Sequence, residues 1–369
     1  KDCIQIVPNI ANSLIEKYPK KSQQLKTLGI IRASEESVFF MLASIYLGAN
    51  YSIIFEDLSE EAIKKRINLF KPNIVCCRQE LSKKIKKILP LCEVKNIQIK
   101  VISKEDLSFK KDSLSKNNSN CYKKNDDLLT LFTSGSTGIP KLIIHGFSNY
   151  IDYAESSSRD FFNLKIGSTI FTATDAAWIN GQTYAFFGPL LIGASSVICE
   201  NLNELSQPLF LLEVLEKLKV NIFYTSVTFF RLLKLKQINL PSKKLNNLES
   251  IGSCGEPLAD VIGRWAINFF NPSNNVIINT YFQTETGGIL IAPKQSIAKE
   301  VLNYSTVGIP DKKIKIVLAK DILKNSDLNK QGISENELLV LNPWKGIFKK
   351  VLSNRKTNYF TKEGYYRLH

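Results

Sequence analysis

Short apolar runs alternate with amphipathic stretches over the first three hundred or so residues of the chain. NIVCC (Asn73 to Cys77), SVICE (Ser196 to Glu200), NIFYT (Asn221 to Thr225) and VIINTYF (Val276 to Phe282) are compact and rich in β-branched and aromatic residues. They read as buried strands. EEAIKKRINLF (Glu60 to Phe70) and PLFLLEVLEKLK (Pro208 to Lys219) carry apolar residues at three- and four-residue spacing with charge on the other face, which predicts surface helices. Strand and helix patterns in alternation predict βα units and largely parallel sheets, an α/β fold class. Past about Asn303 the pattern changes to IKIVLA and ELLVLN separated by turn residues, which predicts a small β-rich subdomain over 303–369. The polar segment KKDSLSKNNSNCYKKNDD (Lys110 to Asp127) reads as a mobile linker inside the 1–302 unit.

Composition narrows the function. At 369 residues, 44% hydrophobic and 22% charged, the chain can bury a large core as a globular protein. No apolar run approaches the roughly 18 residues of a membrane helix, and the start KDCIQIVPNI lacks the parts of a signal peptide. The reading is therefore a cytoplasmic protein with no membrane partner. A net charge of +15 raises nucleic-acid binding, but the excess is almost all lysine, with arginine at isolated positions such as Arg32, Arg66, Arg159 and Arg264. A solvated lysine surface, and no nucleic-acid partner, is the expectation. Seven scattered cysteines without a CxxC pair predict reduced thiols. Two histidines exclude a histidine metal cage and leave few ways to assemble a Ser/His/Asp triad.

The chemistry concentrates in LLTLFTSGSTGIPKLIIHG, Leu128 to Gly146. Leu128 to Phe132 predicts a strand, after which Thr133, Ser134, Gly135, Ser136, Thr137 and Gly138 let main-chain amides and hydroxyls approach an anion closely. Lys141 adds a full positive charge. Such a loop suits a polyphosphate, yet it does not satisfy the GxxxxGK[ST] pattern of the usual nucleotide hydrolases.

TSGSTGIPK resembles the phosphate loop of the adenylate-forming family of AMP-forming acyl-CoA synthetases, luciferases and peptide-synthetase adenylation domains. TDAAWINGQTYAFFGPLLIGASSVICE (Thr174 to Glu200), NIFYTSVTFFRLL (Asn221 to Leu233), GSCGEP (Gly252 to Pro257) and TYFQTETGGILIAP (Thr280 to Pro293) follow in that family's order. Their wording is closest to the acetyl- and propionyl-CoA synthetase branch, as is MLASIYLGANYSIIFEDLSEEAIKKRI (Met41 to Ile67). The resemblance implies a large domain of two βα sheets flanked by helices plus a small β-rich subdomain, with the family's small carboxyl-terminal domain and its lysine absent from this chain.

It also implies a reaction. A short carboxylate attacks ATP to give acyl-AMP and pyrophosphate, and coenzyme A then takes the acyl group; magnesium assists. By resemblance the catalytic residues are Lys141, Thr284 and Glu285, with Glu285 and Thr137 near the metal. Thr133 to Gly138 and Lys141 take the phosphates, while Gly255, Glu256 and Pro257, with Thr280, Tyr281, Phe282, Gln283 and Thr284, wall the adenine and ribose. The acyl pocket maps to Trp178, Ile179, Asn180, Cys254 and Phe282. Phe282 stands where the two-carbon enzymes of the branch carry tryptophan, which deepens the pocket, and Ile179 takes some volume back; a chain of about two to four carbons is expected. Three departures stand out. Leu142 follows Lys141 where the family has glycine, and Asn180 replaces a threonine. Glu56 and Asp57 replace a glycine pair near the region that resembles the coenzyme A nucleotide site, where acids repel phosphates. Two alternatives follow: an adenylating domain that serves another acceptor, and an AMP-binding protein without turnover.

Overall fold

A computed structural model describes residues 3–16, 24–107, 120–133, 140–236, 245–293, 303–311, 313–353 and 358–368. Among these residues, two larger sheets and two small ones form the scaffold.

The first sheet has seven strands in the order Lys350–Leu352, Lys141–Gly146, Asp127–Thr133, Asn50–Ile54, Lys26–Ile30, Ile74–Cys77, Gln98–Val101. Its centre is parallel, because each strand returns through a helix. The edge that carries the site is antiparallel: Asp127–Thr133 turns back directly into Lys141–Gly146, and Lys350–Leu352 adds beyond it. Both faces of this sheet are covered, which is why its strands read as continuous apolar runs. Cys3–Ile15 and Glu35–Tyr46 pack on one face, and Glu60–Phe70 with Ser82–Ile88 on the other. Ser59 caps the helix Glu60–Phe70 by accepting from the Ala62 amide, and a left-handed Lys71 ends it. That helix has the bounds its periodicity predicts.

The second sheet is wholly parallel, in the order Ile277–Asn279, Ser250–Cys254, Ile222–Ser226, Thr169–Ala173, Ser195–Val197. Alternate residues face opposite cores: Phe171, Phe223, Ile251 and Ile277 one way, Ile170, Ile222, Tyr224 and Ile278 the other. Two strands are shorter than their apolar runs suggest. VIINTYF leaves the sheet at Asn279, after which Phe282 lines one cavity, and SVICE leaves it at Val197, after which Cys199 and Glu200 line another.

The helix Phe147–Phe162 lies between the sheets, giving Tyr150 and Ala154 to the first core and Phe161 and Phe162 to a core of the second. The polar stretch before the loop is more fixed than its composition implies. Residues 110–119 lie outside the described residues, but Tyr122 stacks on Phe147 at 4.4 Å between ring centroids and donates to the Ala49 carbonyl at 2.5 Å. Past 303, Ile316–Leu318, Leu338–Val340 and Tyr366–Leu368 form an antiparallel sheet, its apolar face closed by Trp344, Tyr359 and Ile314.

Candidate active site

Four parallel strands of the second sheet end side by side at Ala173, Ser226, Cys254 and Asn279. The chain leaves each of them into loops at the same end, and in open parallel sheets this carboxyl edge is where ligands bind. A cavity of about 670 Å³ lies there. It is lined by Ala173, Thr174, Asp175, Trp178, Ile179 and Asn180 from the first loop and by Ser226 and Thr228 from the second. Cys254, Gly255 and Glu256 come from the third and Phe282, Gln283 and Thr284 from the fourth, with Phe55 and Leu202 at the rim.

All five residues mapped to the acyl pocket line this cavity, as do Gly255, Glu256, Phe282, Gln283 and Thr284 of the expected adenine wall. Pro257, Thr280 and Tyr281 do not. Thr280 is buried behind the wall, its hydroxyl bonded to the Ser253 carbonyl at 2.7 Å, and Tyr281 turns into the aromatic core around Trp344. Glu256 is tied to Thr228 and, at 2.6 Å, to Arg231, and the Thr228 hydroxyl and the Arg231 charge hold its carboxyl below the usual range. Ser226, Thr228 and Asp175 went unread in the sequence, since a polar residue at the end of a strand or two places beyond it carries no periodic signal.

The turn Thr284–Thr286 leads out of the cavity wall, which Thr284 itself lines. Its carbonyls are gripped one after another. His145 Nε2 donates to Thr284 at 2.9 Å, the Phe348 amide to Glu285 at 2.9 Å, Trp344 Nε1 to Thr286 at 3.0 Å and Thr183 Oγ1 to Gly287 at 2.8 Å. Since a carbonyl only accepts, the His145 proton sits on Nε2. Thr286 closes the turn, its hydroxyl accepting from the Gln283 amide at 2.9 Å. Three separate parts of the chain thereby fix the Glu285 backbone.

Lys141 stands opposite Thr133 in strand register, at the end of the antiparallel pair. Ser134, Gly135, Ser136, Thr137 and Gly138 lie outside the described residues. Tyr359 connects the two charges: Lys141 Nζ donates to its Oη at 3.3 Å, and Oη donates to Glu285 Oε1 at 3.4 Å. Tyr366, stacked parallel to Tyr359, donates to Gln283 Oε1 at 3.0 Å. A lysine and a carboxylate bridged by one hydroxyl, next in sequence to the cavity-lining Thr284, match the charges of a nucleotide phosphate chain and its divalent cation.

Burial pushes the His145 imidazole down to about 4, with main-chain partners at Thr284 and Gly346 pulling the other way. The folded state thus holds the neutral ring. Its contribution to stability is complete above the unfolded value near 6.5 and is lost as pH falls towards 4. Between pH 7 and 5 this group should cost about 2 kcal/mol of unfolding free energy. Urea titrations at the two pH values check it: His145→Gln should flatten the difference, and an unchanged slope would reassign the acid sensitivity to other groups.

Glu56 and Asp57 line a second cavity of about 280 Å³ that shares Phe55, Thr174, Asp175 and Leu202 with the first. Glu56 is less of a bare acid than the sequence implies. It accepts from Arg32 Nε at 2.7 Å and from Arg78 Nε and Nη2 at 2.7 and 2.8 Å. Burial raises its pKa, and the hydrogen bonds from Arg78 and Arg32 more than offset this, leaving the carboxyl below the usual range.

The model of the AMP-binding enzyme family matches residues 6–332. The chain belongs to that family. The chain is 28% identical to the acetyl-coenzyme A synthetase of Vibrio parahaemolyticus over 96% of its own length and 60% of that protein's. It is also 28% identical to the acetyl-coenzyme A synthetase of Helicobacter acinonychis over 87% of its length and 51% of the relative's. The chain therefore spans about half to three fifths of these curated relatives. Among solved structures, an anthranilate CoA ligase in complex with anthranoyl-AMP superposes with a TM-score of 0.81 at 16% identity, covering 99% of this chain and 67% of that one. An acyl-CoA synthetase of Brucella canis gives 0.78 at 20% identity, covering 99% and 65%. These likenesses show the adenylate-forming large-domain fold. No helix among the described residues is long and apolar enough to cross a membrane.

Proposed function

We propose that the chain is the adenylation core of an AMP-forming acyl-CoA synthetase acting on a short carboxylate, with ATP, magnesium and coenzyme A as the other reactants. The observation that carries this reading is the meeting of Lys141, Glu285 and the 670 Å³ cavity at the carboxyl ends of parallel strands. In the proposed reaction a carboxylate oxygen forms a bond to the α-phosphorus of ATP and the bond to pyrophosphate breaks. A thiolate then attacks the acyl carbon and AMP leaves.

In this reading Lys141 holds the outer phosphates, joined by Thr133 and by the loop Ser134 to Gly138. Glu285 is the carboxylate that would hold magnesium, with Thr137 beside it, and the ion when bound would neutralise charge on the phosphates. The purine lies against Gly255 and Glu256, faced by Phe282 and Gln283. Trp178, Ile179, Asn180, Cys254 and Phe282 enclose the acyl group, and their bulk limits its length. Residues 1–302 form the adenylation core and 303–369 the β-rich subdomain, whose Trp344 and Tyr359 reach back to the catalytic turn.

A second reading, an amine as acyl acceptor in place of coenzyme A, is favoured by the smaller cavity. Glu56, Asp57, Asp175 and Glu200 line it against Arg32, with Arg78 behind. This surplus of acid suits a cation better than a phosphate. Supplying coenzyme A or a short diamine to preformed acyl-AMP and identifying the acylated product separates the two.

Pyrophosphate exchange over a panel of short acids tests adenylation itself, and its complete absence would leave an AMP-binding protein without turnover. Lys141→Ala should weaken ATP about tenfold while changing AMP affinity by less than about threefold, because it removes charge at the outer phosphates alone. Calorimetry with both nucleotides checks this, and equal losses would remove Lys141 from the phosphate site.

A further inference from the structure

The acyl end of the large cavity carries a side-chain amide whose only acceptor among the described residues is a thiol sulfur. Asn180 is 8% exposed and lines the cavity. Its Oδ1 accepts from the Gly181 amide at 3.0 Å and from Thr174 Oγ1 at 3.2 Å. A main-chain N–H can only donate, so the atom facing Gly181 is the oxygen and the NH₂ group points the other way. There Nδ2 meets Cys254 Sγ at 3.4 Å, a weak acceptor. Burial pushes the Cys254 thiol up to about 12, so the sulfur stays a neutral thiol and donates to the Thr225 carbonyl at 3.4 Å. One N–H of Nδ2 is thus poorly paired, and the other finds no acceptor among the described residues.

Ile179, Phe282 and Cys254 supply an apolar setting in which an unpaired donor is costly. A methyl group placed against it leaves that cost in force, whereas an oxygen removes it. Resting on the proposed adenylation reading, we propose that the pocket is built for a short carboxylic acid of about three or four carbons that bears a hydroxyl or carbonyl oxygen on its tail, and that Asn180 donates to that oxygen. The amide lies beside Ile179 and Cys254, while Lys141 and Glu285 stand outside the cavity lining. A carboxylate directed at a phosphate held by the latter pair leaves the amide to the rest of the acyl chain. Ile179 and Phe282 then set length, and Asn180 sets polarity.

The test uses nonhydrolysable acyl-sulfamoyl adenosines of propionate, 2-hydroxypropionate, butyrate and 3-hydroxybutyrate, titrated calorimetrically into the full 369-residue chain. At least one oxygenated compound should bind about 10 to 100 times tighter than its alkyl counterpart of equal carbon count. Asn180→Leu should erase that preference, and Cys254→Ala, which keeps the amide, should retain it. Alkyl compounds that bind as tightly as both hydroxylated ones overturn the proposal without help from any variant. So does an Asn180→Leu protein, shown folded by its near-ultraviolet dichroism, that weakens all four compounds alike, because the amide then serves the carboxylate or the fold. Failure of all four to bind is a different result, since it removes the adenylation reading on which the proposal stands.

Discussion

Glu285→Gln should lower ATP–pyrophosphate exchange by about 100-fold or more while AMP still binds within about threefold of the unchanged protein. The substitution keeps the shape of the side chain and removes only its charge. Its backbone is held from outside the turn, through His145, Phe348, Trp344 and Thr183, so the amide should occupy the place of the carboxylate without reshaping the site. What changes is the affinity for a hard divalent cation, which wants anionic oxygen, and with it the neutralisation of the departing pyrophosphate. AMP lacks the outer phosphates and should be nearly indifferent. The measurement is exchange at saturating magnesium and acid, with AMP affinity from calorimetry on the same preparations. Exchange within threefold of the parent would show that the metal is held elsewhere.

Gly287→Ala should destabilise the fold by about 3–5 kcal/mol, combining backbone strain with a contact that cannot relax. Gly287 has φ of +72°, where a side chain is strained, and a Cβ there would run into the Gly346 carbonyl. Gly346 has no room to withdraw, because it packs against the Tyr153 ring and the Thr286 carbonyl. The two glycines let the turn bearing Glu285 press against the β-rich subdomain, so stability and nucleotide binding should fall together. Gly255→Ala is the control: its φ of +87° carries similar strain, but no atom lies within 4 Å of the added carbon, and about 1 kcal/mol is expected. Urea unfolding of both variants decides the matter. Equal losses would mean that strain alone acts at Gly287.

Local order is where the sequence speaks most directly. The helix Glu60–Phe70 was legible to the residue, and the four apolar runs each overlap a strand, because a period of about 3.6 or 2 records which side of an element is buried. Motif order gave the family and nine of the residues that line the large cavity, among them Trp178, Ile179, Asn180 and Cys254. Each lies within a short stretch whose spacing along the chain is preserved whatever the rest of the molecule does.

Only the folded chain decided which of those stretches meet. Tyr359 comes between Lys141 and Glu285 although it lies 218 residues from the lysine, and it sits in a region whose pattern announced nothing beyond short strands. Glu56 looked like a repelling acid until Arg32 and Arg78 closed on it from strand ends 24 and 22 residues away. The strand Lys350–Leu352 reads as part of a separate β-rich unit, yet it completes the edge of the first sheet beside Lys141. Asn180 was visible as a polar substitution, but whether it offers an oxygen or a donor to the cavity depends on the Gly181 amide and the Thr174 hydroxyl. The physical reason is common to all four. Periodicity and motif spacing fix which face of an element seeks burial and which chemistry it bears, whereas charge, hydrogen-bond direction and the company of a side chain are set by contacts across the chain, and these exist only after the sheets have closed on one another.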